Sequence, residues 1–252
     1  MAREAKEPRV HDREAVETGV HDREPAWTGQ GDVELAGQDR HRGEPRFMAG
    51  SDTAVLRSLV AAAGLGLGVA AVSEPCAEPA GPGEAAAAAS MPSWRRLEFL
   101  AGRRAARRAL RAVGLDCGDI PRVGRLPVFP PGSAASISHS AGIAVAVARA
   151  PGRDQPLGCD LELRPLPREA ARLVLRADEE GLLAAWSVTE LFSAKEAAWK
   201  ALPGAQGSLR ELGAAPCGGG LRIHLRADPA QAVAVRVVRV GTGVFSHVVG
   251  RA

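Results

Sequence analysis

From residue 94 onward the apolar positions fall into two periods. Between Trp94 and Val113, the residues Phe99, Gly102, Ala106, Leu110 and Val113 lie in one stripe at roughly 100° per residue, which predicts a helix with that stripe against a core. Ser93 is a good N-cap and Gly114 a favourable stop. Shorter runs predict strands at Ala135–Ser138 and Ile143–Ala148, joined by a turn at Ala141–Gly142, with His139 where the first strand gives way. Leu157–Leu163 reads as a further strand. Helices are expected over Arg168–Ala185 and Val188–Leu202, the second stopped by Pro203–Gly204. Its buried edge is read from Phe192 and Trp199, seven apart. Leu221–Arg226, Ala232–Val240 and Val244–Val249 look like an antiparallel meander. Upstream, Ala54–Val72 is small and apolar, and the Pro/Gly/Ala-rich stretch Glu74–Pro92 reads as loop. Helix and strands recur in each half, so the expected class is α+β with two lobes, residues 48–150 and 151–252.

The first 47 residues offer no such pattern. They carry 8 Lys/Arg against 11 Asp/Glu, few large hydrophobes, and a Val-His-Asp-Arg-Glu repeat at Val10–Glu14 and Val20–Glu24. A disordered tail is expected there, or a true translation start at Met48. Residues 48–252 then hold 24 Lys/Arg against 18 Asp/Glu, a positive bias that suits an anionic substrate. Cys76, Cys117, Cys159 and Cys217 are far apart, which suggests neither a zinc site nor a disulfide framework and favours a reducing cytoplasm. Leu59–Val72 is too short and weakly apolar for a membrane span, which needs roughly 20 residues.

Four groups carry candidate chemistry. On a strand, Asp160 and Glu162 share one face, about 7 Å apart, and can share a hard cation. Alone, the pair equally fits a half-exposed strand in water. In Phe192–Lys200, Glu196 borders the apolar stripe, with Lys195 on the other flank and Lys200 one turn beyond. Alone, Glu196 and Lys200 equally fit a surface ion pair. Arg96, Arg103 and Arg107 flank the stripe of the arginine helix and can hold phosphate, while a solubilising face or a nucleic-acid patch uses the same residues. Four Trp, five Phe and no Tyr supply no stacking platform for nucleic acid. Ser136-Ile-Ser-His-Ser140 suggests acid/base chemistry, a phosphate contact or a polar turn, and lacks the Gly-x-Ser-x-Gly elbow of a serine hydrolase.

In order, these groups resemble the Sfp-type 4′-phosphopantetheinyl transferases, in particular the siderophore, nonribosomal-peptide and polyketide branch. The resemblance runs through Arg96-x-Glu98-Phe99-x-Ala101-Gly102-Arg103 with Arg107, Pro127-x-Phe129-Pro130, Ser136–Ser140, Gly158-x-Asp160-x-Glu162 and Phe192-Ser-Ala-Lys-Glu-Ala-x-x-Lys200. It implies a pseudo-dimer of two similar α+β lobes with the active site in the cleft between them. It also implies Mg²⁺ held by Asp160, Glu162 and Glu196, and coenzyme A as co-substrate contacted by Arg103, Arg107, Ser138, His139, Lys195 and Lys200. Glu196 is the implied base, with Glu162 the alternative, and Lys200 lies near the reacting phosphate. The implied reaction transfers 4′-phosphopantetheine to a serine of an apo acyl or peptidyl carrier protein and releases adenosine 3′,5′-bisphosphate. A monomer in the cytoplasm is expected, with no nucleic-acid or membrane partner. The alternative is an inactive protein that binds coenzyme A or a nucleotide.

Overall fold

The computed structural model describes residues 50–75 and 78–252, so the tail expected over residues 1–47, and Cys76, lie outside the described residues. The small, apolar stretch after Met48 divides into α1 (Gly50–Ala62) and β1 (Leu65–Ala71), with Gly64 at φ +73° making the corner. β1 pairs antiparallel with β5 (Ile143–Arg149), which pairs antiparallel with β4 (Ala134–Ser140). Between them in sequence come α2 (Pro82–Ala89), α3 (Ser93–Ala112) and a small hairpin, β2 (Arg122–Val123) with β3 (Leu126–Pro127). The β4–β5 turn falls on Ala141 and Gly142, both at positive φ.

Strand period two sorts β5 into two cores. Ala144, Ala146 and Ala148 pack with Ala101, Ala105, Ala106 and Ala109 of α3. Ile143, Val145 and Val147 face the other way, onto Leu56 and Val60 of α1 and onto Cys159, Leu161 and Phe245. Alanine lets α3 lie close to the sheet, and glycine opposite it is obligatory: a Cβ at Gly66 or Gly68 would fall on the carbonyl oxygen of Ala109 or Ala105.

The second half is a five-stranded antiparallel sheet of order β6-β10-β9-β8-β7, namely β6 (Cys159–Glu162), β7 (Leu212–Cys217), β8 (Gly220–Leu225), β9 (Ala232–Val240) and β10 (Gly243–Arg251). Helix α5 (Val188–Ala201) covers it through Leu191, Ala194, Ala197 and Ala198. Phe192 and Trp199 are only partly buried, so the buried edge is drawn by smaller residues than the spacing suggested. Here too a glycine admits the helix, since a Cβ at Gly158 would fall on the Ala197 carbonyl.

Several expected elements differ. Within Glu74–Pro92 the helix α2 forms because Asp119 accepts from the amides of Gly83 and Glu84, 36 and 35 residues away, at 2.7 and 2.8 Å, a cap no local pattern shows. Ser93 is the first helical residue of α3 and not its cap, which is Pro92. Arg168–Ala185 is broken into short turns, Arg168–Ala170, α4 (Ala171–Val174) and Ala177–Ala184. The break leaves the Val174 carbonyl free to accept from Lys195 Nζ at 2.8 Å. Strand β7, with the sequence Leu-Gly-Ala-Ala-Pro-Cys, lacks β-branched residues and tolerates Pro216 because it lies at the sheet edge. Among the described residues no helix is long and apolar enough to cross a membrane.

Candidate functional site

The two sheets meet where β4 runs alongside β6. Three alternate serines of β4 make the join: Ser136 Oγ accepts from the Cys159 amide at 3.0 Å, Ser138 Oγ from Leu161 at 3.3 Å, and Ser140 Oγ from Leu163 at 3.1 Å. The separation is 23 residues each time, so the strands run parallel and in step. Cys159 and Leu161 point into the core shared by the sheets, and by alternation Asp160 and Glu162 take the opposite face. The Cys159 thiol donates to the Ser136 carbonyl at 3.3 Å and is pushed up to about 11, chiefly by burial, so it stays protonated.

Helix α5 supplies the other wall. Ser187 caps it by accepting from the Glu190 amide at 3.2 Å, and the Glu190 carboxylate accepts from the Ser187 amide at 2.7 Å. Glu196 and Lys200 are one turn apart on this anchored helix. Lys200 Nζ donates to Asp160 Oδ1 at 2.9 Å and to the Cys159 carbonyl at 3.0 Å. Asp160 is 3% exposed and Glu196 7% exposed. Asp160 Oδ2 and Glu196 Oε1 are buried without a partner, an arrangement that costs free energy unless something arrives to bind them.

The electrostatics reflect that crowding. Burial, partly opposed by Lys200 and reinforced by Asp160, raises the Glu196 carboxyl to about 7. Burial, with Asp160 and Glu196 adding to it against Lys200, raises Glu162 to about 8. Burial pulls Lys200 down, but the charges of Asp160 and Glu196 outweigh it and its ammonium is held above the ordinary range. His139 is half-buried on β4 and lowered, first by desolvation, with Glu98 raising it and Arg95 and Lys200 lowering it. The first turns of α3 therefore face the same region.

Asp160, Glu162, Glu196, Lys200 and His139 thus form one electrostatically linked group. Among the described residues, however, no set of three or more His, Cys, Asp or Glu side chains is disposed to hold a metal ion. Of the three carboxylates expected at a metal, Asp160 and Glu196 each keep one buried oxygen without a partner, Oδ2 and Oε1. That pair fits magnesium, which takes hard oxygen donors and commonly uses one or two carboxylates with the substrate's phosphates filling further positions.

Other expected contacts are committed elsewhere. Lys195 is fully buried and gives its protons to Glu179 and to the carbonyls of Val174 and Leu212, so it cannot neutralise a pyrophosphate in this arrangement. Arg107 is ion-paired with the fully buried Glu84, which also accepts from the Ile120 amide. Arg96 donates to the carbonyls of Ala88 and Met91. Arg103 is buried, with Nε on the Ile120 carbonyl at 2.8 Å and its guanidinium over Phe99. Burial lowers it to about 10, with Glu84 raising it and Arg122 and Arg107 lowering it. Ser138, expected at a phosphate, donates to Asp160 Oδ1 at 2.8 Å instead. The remaining arginines of α3 pair with Glu74, Glu98 or Asp116. What residue spacing could have revealed, and did not, is the bridging role of Ser136, Ser138 and Ser140. Hydroxyls at period two match the period of amides along a neighbouring strand.

Parts of the chain are similar to known proteins. A family model described as "4′-phosphopantetheinyl transferase N-terminal domain" matches residues 83–149. Enterobactin synthase component D of Escherichia coli O157:H7 is 39% identical over 118 residues, covering 42% of this chain and 54% of the relative. The proteins of the same name from Salmonella typhi and Escherichia coli K12 are 39% and 37% identical over 118 residues, with 48% and 54% of the relative covered. The chain spans about half the length of the curated relatives it matches. By these matches residues 83–149 are similar to the N-terminal domain of 4′-phosphopantetheinyl transferases.

Proposed function

We propose that the protein is a magnesium-dependent transferase that moves 4′-phosphopantetheine from coenzyme A to a serine of an apo acyl or peptidyl carrier protein. The observation that carries this reading is the meeting of β6 and α5, where Asp160 and Glu196 each keep a buried oxygen without a partner and Lys200 donates to Asp160. Enterobactin synthase component D, by its name, belongs to siderophore assembly, and a carrier of that kind of pathway is the partner this reading favours.

In this scheme residues 48–150 and 151–252 act as two lobes, with coenzyme A in a cleft along the β4–β6 join. Asp160 and Glu196 would hold the magnesium, with Glu162 beside them, and the ion would supply charge neutralisation at the pyrophosphate. Glu196, or Glu162 in its place, accepts the proton of the carrier serine. The serine oxygen then bonds to the phosphorus that carries pantetheine, and the bond from that phosphorus to adenosine 3′,5′-bisphosphate breaks. The ammonium of Lys200 lies where charge grows on the phosphoryl oxygens. His139 is assigned to the coenzyme A phosphates. Arg103 is kept for the distant phosphate, since an anion would offset the desolvation of its guanidinium. The reading also holds the protein to be a cytoplasmic monomer.

The test is incubation with coenzyme A, Mg²⁺ and an apo peptidyl carrier, followed by intact-mass measurement. A gain of one phosphopantetheine on the carrier, abolished by EDTA, is expected. Coenzyme A binding with no modification of any carrier would replace the reading with that of an inactive binding protein.

A further inference from the structure

β4 and β6 belong to different sheets, and the join between them is made by side-chain hydroxyls in place of a backbone ladder. The three serines are equivalent as bridges but not in what else they touch. Ser136 accepts from Cys159 and meets no carboxylate. Ser140 lies 3.5 Å from Glu162 Oε2, at the limit of a hydrogen bond. Ser138 alone combines a bridge with a short bond to a buried acid. Its oxygen accepts the Leu161 amide, so its single proton is directed to Asp160 Oδ1 at 2.8 Å.

Asp160 Oδ1 then has two donors, the Ser138 hydroxyl and the Lys200 ammonium, while Oδ2 has none. A carboxylate pinned through one oxygen loses rotational freedom about its last torsion, and the other oxygen becomes the one available to a ligand. We propose that Ser138 is a positioning residue: it fixes the Asp160 carboxylate so that Oδ2 is the metal-binding atom, and the strand-to-strand bridge that holds Ser138 ties the metal site to the contact between the sheets. The proposal rests on the transferase reading above for the identity of the metal. Ser138 itself touches neither metal nor substrate, and acts through Asp160.

The experiment compares Ser136→Ala, Ser138→Ala, Ser138→Cys and Ser138→Thr in the full chain. Binding of Mn²⁺ is followed by electron paramagnetic resonance in the presence of coenzyme A, and thermal unfolding is recorded in EDTA. Both alanine variants lose one bridge and should unfold at similarly lowered temperatures. Mn²⁺ affinity should fall on the order of tenfold or more in Ser138→Ala. It should fall likewise in Ser138→Cys, which keeps the shape with a weaker donor and so serves should the alanine variant fail to fold. Ser138→Thr, which keeps the hydroxyl, and Ser136→Ala should bind as the wild type does. Wild-type affinity in Ser138→Cys, or an equal loss in Ser136→Ala, would overturn the positioning role while leaving the transferase reading intact. A wild-type chain that binds coenzyme A but no Mn²⁺ would instead overturn the metal assignment on which that reading depends.

Discussion

Replacing Glu196 by glutamine should make the metal-free protein more stable and the enzyme nearly inactive. Glu196 is 7% exposed and its carboxyl is raised from an ordinary 4.5 to about 7, first by burial, with Lys200 opposing and Asp160 adding to the rise. A raised carboxyl binds its proton more tightly in the folded state than in the unfolded one. Its contribution to stability is therefore complete below pH 4.5 and is lost as the pH rises through about 7. At about 1.4 kcal/mol per pH unit the loss at pH 8 is roughly 3 kcal/mol as an upper figure. Glutamine copies the neutral acid in shape and cannot ionise. In EDTA at pH 8, Glu196→Gln should therefore gain about 1–3 kcal/mol, or roughly 2–10 °C in unfolding temperature for a chain of this size. Near pH 4 the gap should close, because wild-type Glu196 is then protonated as well. Turnover at saturating coenzyme A and Mg²⁺ should drop by orders of magnitude, since the proposed function makes Glu196 both a metal ligand and the proton acceptor. Scanning calorimetry of both proteins from pH 4 to pH 8, alongside carrier-modification kinetics, decides the matter. A variant equally or less stable than wild type at pH 8, or one with wild-type kcat, would refute the reasoning.

Other substitutions separate the site from its surroundings. Lys200→Ala should lower kcat more than it raises KM for coenzyme A, as expected of a charge that acts on the transition state, and steady-state kinetics will read the split. Lys195→Met should cost about 1–3 kcal/mol in urea unfolding, because buried Glu179 loses one of its two cationic partners and keeps Arg226, while KM for coenzyme A in the folded fraction stays unchanged. Arg107→Met should behave in the same way through Glu84, and a selective rise in KM would restore Arg107 to the substrate site. His247 is fully buried beside Phe245 with neither ring nitrogen bonded, and it is lowered to about 4 by burial, with Arg236 adding. Stability from this residue is present above pH 6.5 and lost as the pH falls through about 4, so His247→Phe should flatten the acid limb of the pH–stability curve.

Much of this was legible along the chain because it depends on period alone. Two-residue alternation puts Asp160 and Glu162 opposite Cys159 and Leu161, and the 3.6-residue period puts Glu196 and Lys200 on one face of α5, whatever the strand or helix packs against. The β4–β5 turn was equally local, since Ala141–Gly142 is a short-range signal for a tight hairpin. Where a charged side chain finds its partner is not periodic. Lys195 and Lys200 sit on the same helix in the same motif, yet Lys195 enters the core to meet Glu179 and the Val174 carbonyl, while Lys200 reaches Asp160. That difference arises only when α4 breaks at Leu175 and β6 comes to lie beside α5. Arg107 likewise meets Glu84 because α2 folds on a cap supplied by Asp119 from beyond α3. The sequence by itself therefore determined which face each acid and base would occupy. Tertiary structure alone decided which of those charges would be neutralised internally and which would be left open to a ligand, because a buried charge must take whatever partner the packing of distant segments brings within reach.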